Sequence, residues 1–237
     1  MKNEKLVAVL IVVLALVGCA LLAQGKESAG QWKTVPDLAN ARYVELPPSK
    51  VSTEKIGFCL ALHGMAGDAL SYGTVWHKAL GGEYLVVAPQ APPKKRVNSY
   101  ISTWQTGTDR NFLFKIWEDV HKRYNIDPAR TTVIGYSAGV YPACDIARTR
   151  KDQLAGLVLQ GGGLKGNPED FMGLHIYLLT ATRDGGLGPA KGQSLFSTLF
   201  KLGIDVQLEV VEGADHASVY AKVNNAAKWI MSGYKLN

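Results

Sequence analysis

The chain has 237 residues, of which 47% are hydrophobic and 19% are charged, a balance that supports one sizeable core. This composition excludes a disordered, collagen-like or coiled-coil chain. The formal net charge is +6, but the densest basic run, Lys94-Lys95-Arg96, is only three residues long. We therefore expect no nucleic-acid partner, because a phosphate-binding surface needs many basic residues on one face.

The first 25 residues have the pattern of an export signal. Lys2 and Lys5 precede an uncharged apolar run from Leu6 to Ala23. Within it, Leu16-Val17-Gly18-Cys19 resembles the bacterial lipobox, in which the cysteine is lipidated and becomes the new N-terminus. Two alternatives stay open: cleavage at Ala23-Gln24-Gly25 into a soluble exported protein, or an uncleaved membrane anchor of just sufficient length. All three place the folded domain outside the cytoplasm, in the bacterial periplasm or cell envelope, with only this segment contacting the membrane.

The rest of the chain divides into a polar tether over residues 26–40 and one folded domain over residues 41–237. Within the domain, apolar strand patterns alternate with helical patterns, which predicts a mostly parallel central sheet covered by helices on both faces. The predicted strands are Ala41–Leu46 at a sheet edge, Lys55–Leu62, Glu83–Ala88, Thr131–Ile134, Leu154–Leu159, His175–Thr180 and Asp205–Val211. The predicted helices are Asp109–Tyr124 with Asp109 as its cap, Ala138–Arg148, Gly188–Leu202 and Ala217–Met231.

Export would permit a disulfide between Cys59 and Cys144. However, Cys59 lies in an apolar strand pattern and Cys144 in a helical pattern. We therefore expect two buried free thiols.

The motif Gly135-Tyr136-Ser137-Ala138-Gly139 has the form G-x-S-x-G, between a predicted strand and a predicted helix. A sharp turn in this place exposes the serine oxygen, and its glycines prevent collisions between neighbouring segments. The following helix directs backbone N–H groups and its positive dipole end at the reacting centre. The pattern predicts Ser137 as a nucleophile.

A serine nucleophile needs a histidine base, and the chain has five histidines. His77 and His121 have the polar surroundings of surface residues, and His175 opens a strand. His63 ends an early strand. Only His216 combines a loop after a predicted strand with a position late in the chain, so we predict His216 as the base.

The carboxylate that orients the base should lie between Ser137 and His216 in the chain. Asp184 follows a predicted strand, in Thr182-Arg183-Asp184-Gly185-Gly186, at the same sheet edge as the serine. Other aspartates in this interval belong to the helix behind the nucleophile, to the opposite sheet edge, or to the immediate neighbourhood of His216. Asp184 is therefore the predicted acid.

Two backbone donors are also required to stabilise a tetrahedral oxyanion. The N–H of Ala138, directly after the serine, is one candidate. The other is the N–H of Met65, in the loop His63-Gly64-Met65-Ala66-Gly67 after an early strand. His63 itself is then a structural loop residue.

Together, GYSAG, LHGMAG, the Asp184 loop and EGADH before a terminal helix resemble the α/β-hydrolase superfamily. The segment WQTGTDRNFLFKIWEDVHKRYNIDPARTTVIGYSAG is similar to its phospholipase/carboxylesterase, feruloyl-esterase and polyhydroxybutyrate-depolymerase-like groups. The resemblance covers Ala41 to Met231 and implies an α/β-hydrolase fold, a serine esterase with the roles assigned above, and no cofactor.

Other motifs predict no further chemistry. Gly161 to Gly166 fits G-x-G-x-x-G, but Asn167-Pro168-Glu169 follows instead of an amphipathic helix, which excludes a dinucleotide site. There is no HExxH, CxxC or P-loop, and we expect no metal. Trp104, in a long polar loop, and Tyr136, beside the nucleophile, are candidate substrate contacts; surface packing is the alternative for Trp104.

The leading hypothesis is an exported serine hydrolase of carboxylic esters. Too few residues separate the strands Leu154–Leu159 and His175–Thr180 for a large lid, so the cleft should suit short acyl groups or bulky polymer and glycan esters. Two alternatives remain: an amidase or peptidase with the same triad, and a catalytically inactive hydrolase fold that serves as a binding lipoprotein.

Overall fold

A computed structural model describes residues 30–35, 38, 41–49, 54–96, 99–104 and 109–235. The predicted export signal, including Cys19, lies outside these residues. Within the described part of the chain, no helix is both long and apolar enough to cross a membrane. The strands are β1 (Gln31–Thr34), β2 (Arg42–Leu46), β3 (Ile56–Leu62), β4 (Leu85–Pro89), β5 (Pro93–Arg96), β6 (Ser99–Ser102), β7 (Ile126–Tyr136), β8 (Gly156–Gln160), β9 (His175–Arg183) and β10 (Asp205–Asp215).

Five α-helices and three 3₁₀ turns connect these strands in the described residues. The helices are α1 (Ala69–Ala79), α2 (Arg110–Arg123), α3 (Val140–Thr149), α4 (Pro189–Lys201) and α5 (Asn224–Met231). The 3₁₀ turns are Ser137–Gly139, Pro168–Phe171 and Ser218–Ala221. The connection from β8 to β9 holds only the second of these turns, in agreement with the predicted lack of a large lid.

Eight strands form one sheet in the order β1-β2-β4-β3-β7-β8-β9-β10. β1 pairs antiparallel with β2, and β2 pairs antiparallel with β4. All the other neighbouring pairs in this sheet are parallel. The carboxyl ends of β3, β7, β8, β9 and β10 therefore meet at one edge, where α/β proteins bind their ligands.

Alternating side chains of each strand reach two separate hydrophobic cores, one on each face of the sheet. In β3, Phe58 and Leu60 belong to the first core and Cys59 and Ala61 to the second. Helices α2, α3 and α4 contribute to the first core, and α1 and α5 to the second. The predicted mostly parallel sheet with helices on both faces is confirmed.

Several local predictions were wrong. Gln31–Thr34, in the predicted tether, forms β1 and pairs along β2, so Arg42–Leu46 is an inner strand. A hairpin of β5 and β6 forms in the predicted long loop. Asp109 makes no side-chain bond to the first turn of α2. The predicted closing helix is divided, because a 3₁₀ turn precedes α5.

Cys59 and Cys144 are free and buried, as predicted. Burial raises the pKa of the Cys144 thiol to about 12 and also raises that of Cys59. Both thiols consequently stay protonated near neutral pH and unreactive.

Candidate active site

Ser137 lies in the sharp turn between β7 and α3. Its φ angle is +51°, a left-handed conformation that is rare for residues other than glycine. Gly139 makes the turn possible, since a Cβ atom there would collide with the carbonyl oxygen of Leu62 at the end of β3. Such strain in a tightly packed turn is typical of functional sites, and it displays the Ser137 hydroxyl at the sheet edge.

Ser137, His216 and Asp184 form one continuous chain of hydrogen-bonding groups. Ser137 Oγ lies 2.8 Å from His216 Nε2, and His216 Nδ1 lies 2.9 Å from Asp184 Oδ1. The Asp184 side chain is fully buried, and the same Oδ1 accepts a bond of 2.7 Å from the Gly186 N–H. The structure thus brings together the three residues that the sequence predicted as nucleophile, base and acid.

The hydroxyl and ring of Tyr136 support His216 from behind. The Tyr136 hydroxyl donates to the His216 carbonyl oxygen at 2.7 Å, and the two rings stack with centroids 5.5 Å apart. Burial, with the negative charge of Asp184 as a smaller cause, raises the pKa of Tyr136, which keeps this hydroxyl a donor. The contacts fix both the backbone and the ring plane of the histidine.

A buried glutamine fixes the segment after His216. Gln160, at the end of β8, is fully buried and donates from Nε2 to the carbonyl oxygens of Val219 and Tyr220, at 2.6 and 3.1 Å. Its Oε1 accepts from the Tyr72 hydroxyl at 2.8 Å. Sequence reasoning missed Gln160; a polar residue ending an otherwise apolar strand at the ligand-binding edge was the available signal.

The loop after β3 lies against the nucleophile. A Cβ atom on Gly64 would be 3.2 Å from Ser137 Cβ, so the two backbones are close neighbours. Met65 follows, with its side chain half exposed, and Ala66 has a positive φ of +58°. Ala138 lines the cleft, and Met65 lies in the loop that packs against the nucleophile turn, so their backbone N–H groups stay the predicted oxyanion donors.

His63 uses both ring nitrogens to hold this loop. Nε2 accepts from the Ala91 N–H at 3.0 Å, which requires Nδ1 to carry the proton that it donates to the Gly64 carbonyl, at 2.6 Å. Gln90 braces the same turn by donating from Nε2 to the Gly67 carbonyl. Burial lowers the pKa of His63, so its ring is neutral. Its structural role agrees with the sequence prediction.

Trp104 and Tyr136 support the site from behind and are not among the residues that line the cleft at Ser137. Trp104 is 9% exposed, and its indole N–H donates to the His63 carbonyl at 2.6 Å. The alternative of packing therefore holds for Trp104. The Tyr136 hydroxyl is bonded to the His216 carbonyl oxygen, and contact of Tyr136 with substrate stays a prediction.

The cleft in front of Ser137 is open and has a volume of about 500 Å³. Among the described residues, no group of three or more His, Cys, Asp or Glu side chains is arranged to hold a metal ion. The cleft is formed by the nucleophile turn, the start of α3 and the loops after β8, β9 and β10. Its lining residues are Ser137, Ala138, Val140, Tyr141, Gly161, Gly162, Gly163, Lys165, Gly185, Gly186 and His216.

The structure is similar to solved structures of esterases and hydrolases. A thermostable esterase superposes with a TM-score of 0.67 and 21% identity over 86% of this chain and 62% of that one, so the chain spans under two thirds of that esterase. An alpha/beta hydrolase enzyme from a Medee basin deep-sea metagenome library has a TM-score of 0.64 and 14% identity, with 88% and 100% coverage. A ferulic acid esterase from Anaeromyces mucronatus, solved with ferulic acid, has a TM-score of 0.63 and 15% identity, with 87% and 92% coverage.

No protein-family model and no curated protein matches the chain. The fold is nevertheless established by the structural likeness, which covers most of the chain in each comparison. The predicted α/β-hydrolase fold is confirmed.

Proposed function

We propose that this protein is an exported serine hydrolase that cleaves carboxylic esters. The observation that carries the proposal is the hydrogen-bonded series Ser137, His216 and Asp184, with contacts of 2.8 and 2.9 Å. Its three members come from three separate strand ends, and the serine has a strained backbone. A purely structural serine in a turn would need neither the histidine nor the strain.

In the proposed reaction, His216 Nε2 accepts the proton of the Ser137 hydroxyl while Oγ attacks the acyl carbon of the ester. The carbonyl oxygen becomes an oxyanion, which the N–H groups of Met65 and Ala138 bind. The intermediate collapses when His216 gives its proton to the leaving alcohol. Water, deprotonated by His216, then hydrolyses the acyl-enzyme and releases the acid.

Asp184 determines which nitrogen of His216 acts as the base. Its Oδ1 accepts the hydrogen bond from His216 Nδ1, so the proton of the neutral ring lies on Nδ1 and the lone pair on Nε2 faces Ser137. Once Nε2 gains the proton, the carboxylate stabilises the resulting imidazolium. The Gly186 N–H fixes the carboxylate in this orientation.

Esters are favoured over amides because the similar solved structures include a thermostable esterase and a ferulic acid esterase. The open cleft has room for a short acyl group with a bulky alcohol or polymer on the solvent side. The proposed substrates are therefore small-molecule, polymer or glycan esters, in a reaction that needs no cofactor.

The test is ester turnover by the wild type and by Ser137→Ala, with Ser194→Ala as a matched control on the exposed surface of α4. Substrates are p-nitrophenyl esters from acetate to laurate and a feruloyl ester. We expect Ser137→Ala alone to lose turnover and labelling by a fluorophosphonate. Labelling that persists in Ser137→Ala would contradict the assignment. Faster cleavage of p-nitroanilides than of esters would indicate an amidase, and an unlabelled folded wild type would indicate a binding protein.

The export part of the proposal rests on Lys2, Lys5 and the apolar run before Cys19. In bacterial cells, a lipoprotein would incorporate an alkyne-labelled palmitate and fractionate with membranes. We expect Cys19→Ser to lose the label. A wild-type protein that is soluble and unlabelled would instead indicate ordinary cleavage, and an unlabelled membrane protein would indicate an uncleaved anchor.

A further inference from the structure

One wall of the cleft at Ser137 is almost without side chains. Five of its lining residues are glycines: Gly161, Gly162, Gly163, Gly185 and Gly186. Glycines shape a cavity but offer a substrate only backbone atoms. Any preference for one substrate over another must then come mainly from the few side chains that the cleft presents.

Tyr141 and Lys165 are two of these side chains, and they contact each other. The Lys165 ammonium lies 4.6 Å from the centroid of the Tyr141 ring, a cation–π arrangement. Tyr141 lies in the first turn of α3, four residues after Ser137, and both residues line the same cleft. The ring is 48% exposed and is available to a ligand.

The loop that carries Lys165 is tied to the same helix. The Lys165 backbone N–H donates to the Sγ atom of Cys144, at 3.4 Å. Cys144 is buried in α3, so the loop after β8 is fixed to the helix that begins at the nucleophile. The position of the Lys165 backbone relative to Ser137 is therefore set by the fold.

The charge of Lys165 is not neutralised by the described residues. None of their carboxylates lies within 4.0 Å of its Nζ, whereas Asp145 pairs with Arg110 at 3.4 Å and with Arg148 at 2.7 Å. These three residues line a second cavity of about 370 Å³, which Tyr141 and Lys165 share with the cleft at Ser137. Lys165 therefore lies where the two cavities meet, with no carboxylate of the described residues paired to its ammonium.

We propose that Lys165 and Tyr141 form a recognition site, in the same cleft as Ser137, for esters that also carry a carboxylate. The carboxylate pairs with the ammonium, and the atoms between it and the ester pack on the Tyr141 ring. The inference rests on the proposed esterase function and names the substrate class for the same site. It adds no covalent step, since both residues act only on binding.

The test compares matched pairs of anionic and neutral substrates. On the acyl side, mono-p-nitrophenyl adipate is paired with p-nitrophenyl hexanoate; on the alcohol side, 4-butyryloxybenzoate is paired with phenyl butyrate. The measured quantity is the ratio of kcat/KM for the anionic ester to that for the neutral one. The variant is Lys165→Met, which removes the charge and shortens the unbranched side chain by one atom, and the control is Lys201→Met at the exposed end of α4.

We expect Lys165→Met to lower the ratio about fivefold in at least one pair, mainly through KM, whereas Lys201→Met leaves it unchanged. The wild-type ratio should also fall as salt is added, because salt screens exposed charges. The pair that responds identifies whether the acyl or the alcohol part lies on Tyr141. An unchanged ratio in both pairs, with Ser137-dependent turnover intact, would overturn the recognition site alone. No turnover of any ester by the folded wild type would overturn the esterase function and the site together.

Discussion

Two histidines follow strands at the same edge of the sheet, and the structure uses them in opposite ways. His63 follows β3, is completely buried, and spends both ring nitrogens on backbone groups of Ala91 and Gly64. The side chain of His216, after β10, is 40% exposed and bonds to Asp184 and Ser137 instead. An imidazole ring can accept the proton of a hydroxyl only when its lone pair is directed at that hydroxyl. The hydrogen-bond partners of each histidine therefore determine whether it can act as a base.

The two loops are nevertheless held with similar firmness. The His216 loop is tied by Tyr136 at its carbonyl and by Gln160 at the following residues. The His63 loop is tied by its own ring and by Gln90. Preorganisation is thus built into both the proton-transfer side and the oxyanion side of the proposed site, since neither has to be ordered by the substrate.

Replacing each histidine should give the largest difference in kcat between the two sites. His216→Ala should lower kcat by on the order of 10⁴- to 10⁶-fold, because the base is removed, with little change in the midpoint of thermal unfolding. His63→Gln should lower kcat by less than about tenfold, because only the loop geometry is disturbed. Steady-state kinetics with p-nitrophenyl butyrate would measure kcat for both variants. Near-wild-type turnover by His216→Ala would remove it from the proposed mechanism.

The second prediction concerns Asp184, the carboxylate that bonds to His216 and has no counterpart among the bonds of His63 given above. Asp184→Asn offers the ring an amide, which favours the tautomer with its proton on Nε2 and removes the base facing Ser137. We expect kcat to fall by on the order of 10⁴-fold, with KM nearly unchanged. Stopped assays over a series of pH values would measure kcat and KM of Asp184→Asn. A loss of under tenfold would show that another group orients the ring.

Local patterns in the sequence were enough to predict the principal site residues. Ser137 lies in a strand–turn–helix motif, and Asp184 and His216 each follow a strand, so the parallel sheet alone brings them to one edge. Predicting these three residues from their positions along the chain required no information about side-chain packing. The same reasoning assigned His63 a structural role, because the loop that it begins was predicted to supply a backbone N–H to the oxyanion.

The features that the sequence did not predict depend on contacts between distant segments of the chain. β1 is short and mixed in polarity, and only its pairing with β2 makes it a strand. The bond of the Tyr136 hydroxyl to a carbonyl oxygen 80 residues away was not predicted. Gln160 reaches 59 residues ahead to Val219. No propensity or motif encodes such pairs, because they form only when the strand ends are assembled.

The third prediction uses the burial of His63, which lowers its pKa below the ordinary value of 6.5. At pH values below about 6.5, the unfolded chain therefore binds a proton at His63 that the folded chain does not. The contribution of His63 to the free energy of unfolding is fully present above about pH 6.5 and is lost as the pH falls below it. At pH 7.5, His63→Gln should unfold with about 1–3 kcal/mol less free energy than the wild type. Urea unfolding at a series of pH values should show this gap narrowing towards pH 5. Parallel pH profiles for the two proteins would contradict a neutral, buried His63.

The smallest expected effect distinguishes support of His216 from contact with substrate. Tyr136→Phe keeps the ring stacked on His216 but removes the hydrogen bond to its carbonyl, worth about 1 kcal/mol, so kcat should fall about fivefold with KM unchanged. Because the raised pKa of Tyr136 keeps its hydroxyl protonated, the ratio of wild-type to variant kcat should stay constant from pH 6 to 9.

The matched control for that measurement is Tyr84→Phe, which also removes a buried hydroxyl bonded to a backbone carbonyl, that of Ile230. Tyr84 directly precedes β4, whose parallel pairing with β3 puts this end of the strand at the sheet edge opposite Ser137. It should lose stability without losing kcat. If Tyr136→Phe instead raised KM and left kcat intact, the hydroxyl would bind substrate. Support of His216 would then rest on the ring stack and Gln160, and the two histidine loops would differ in their firmness as well as in their partners.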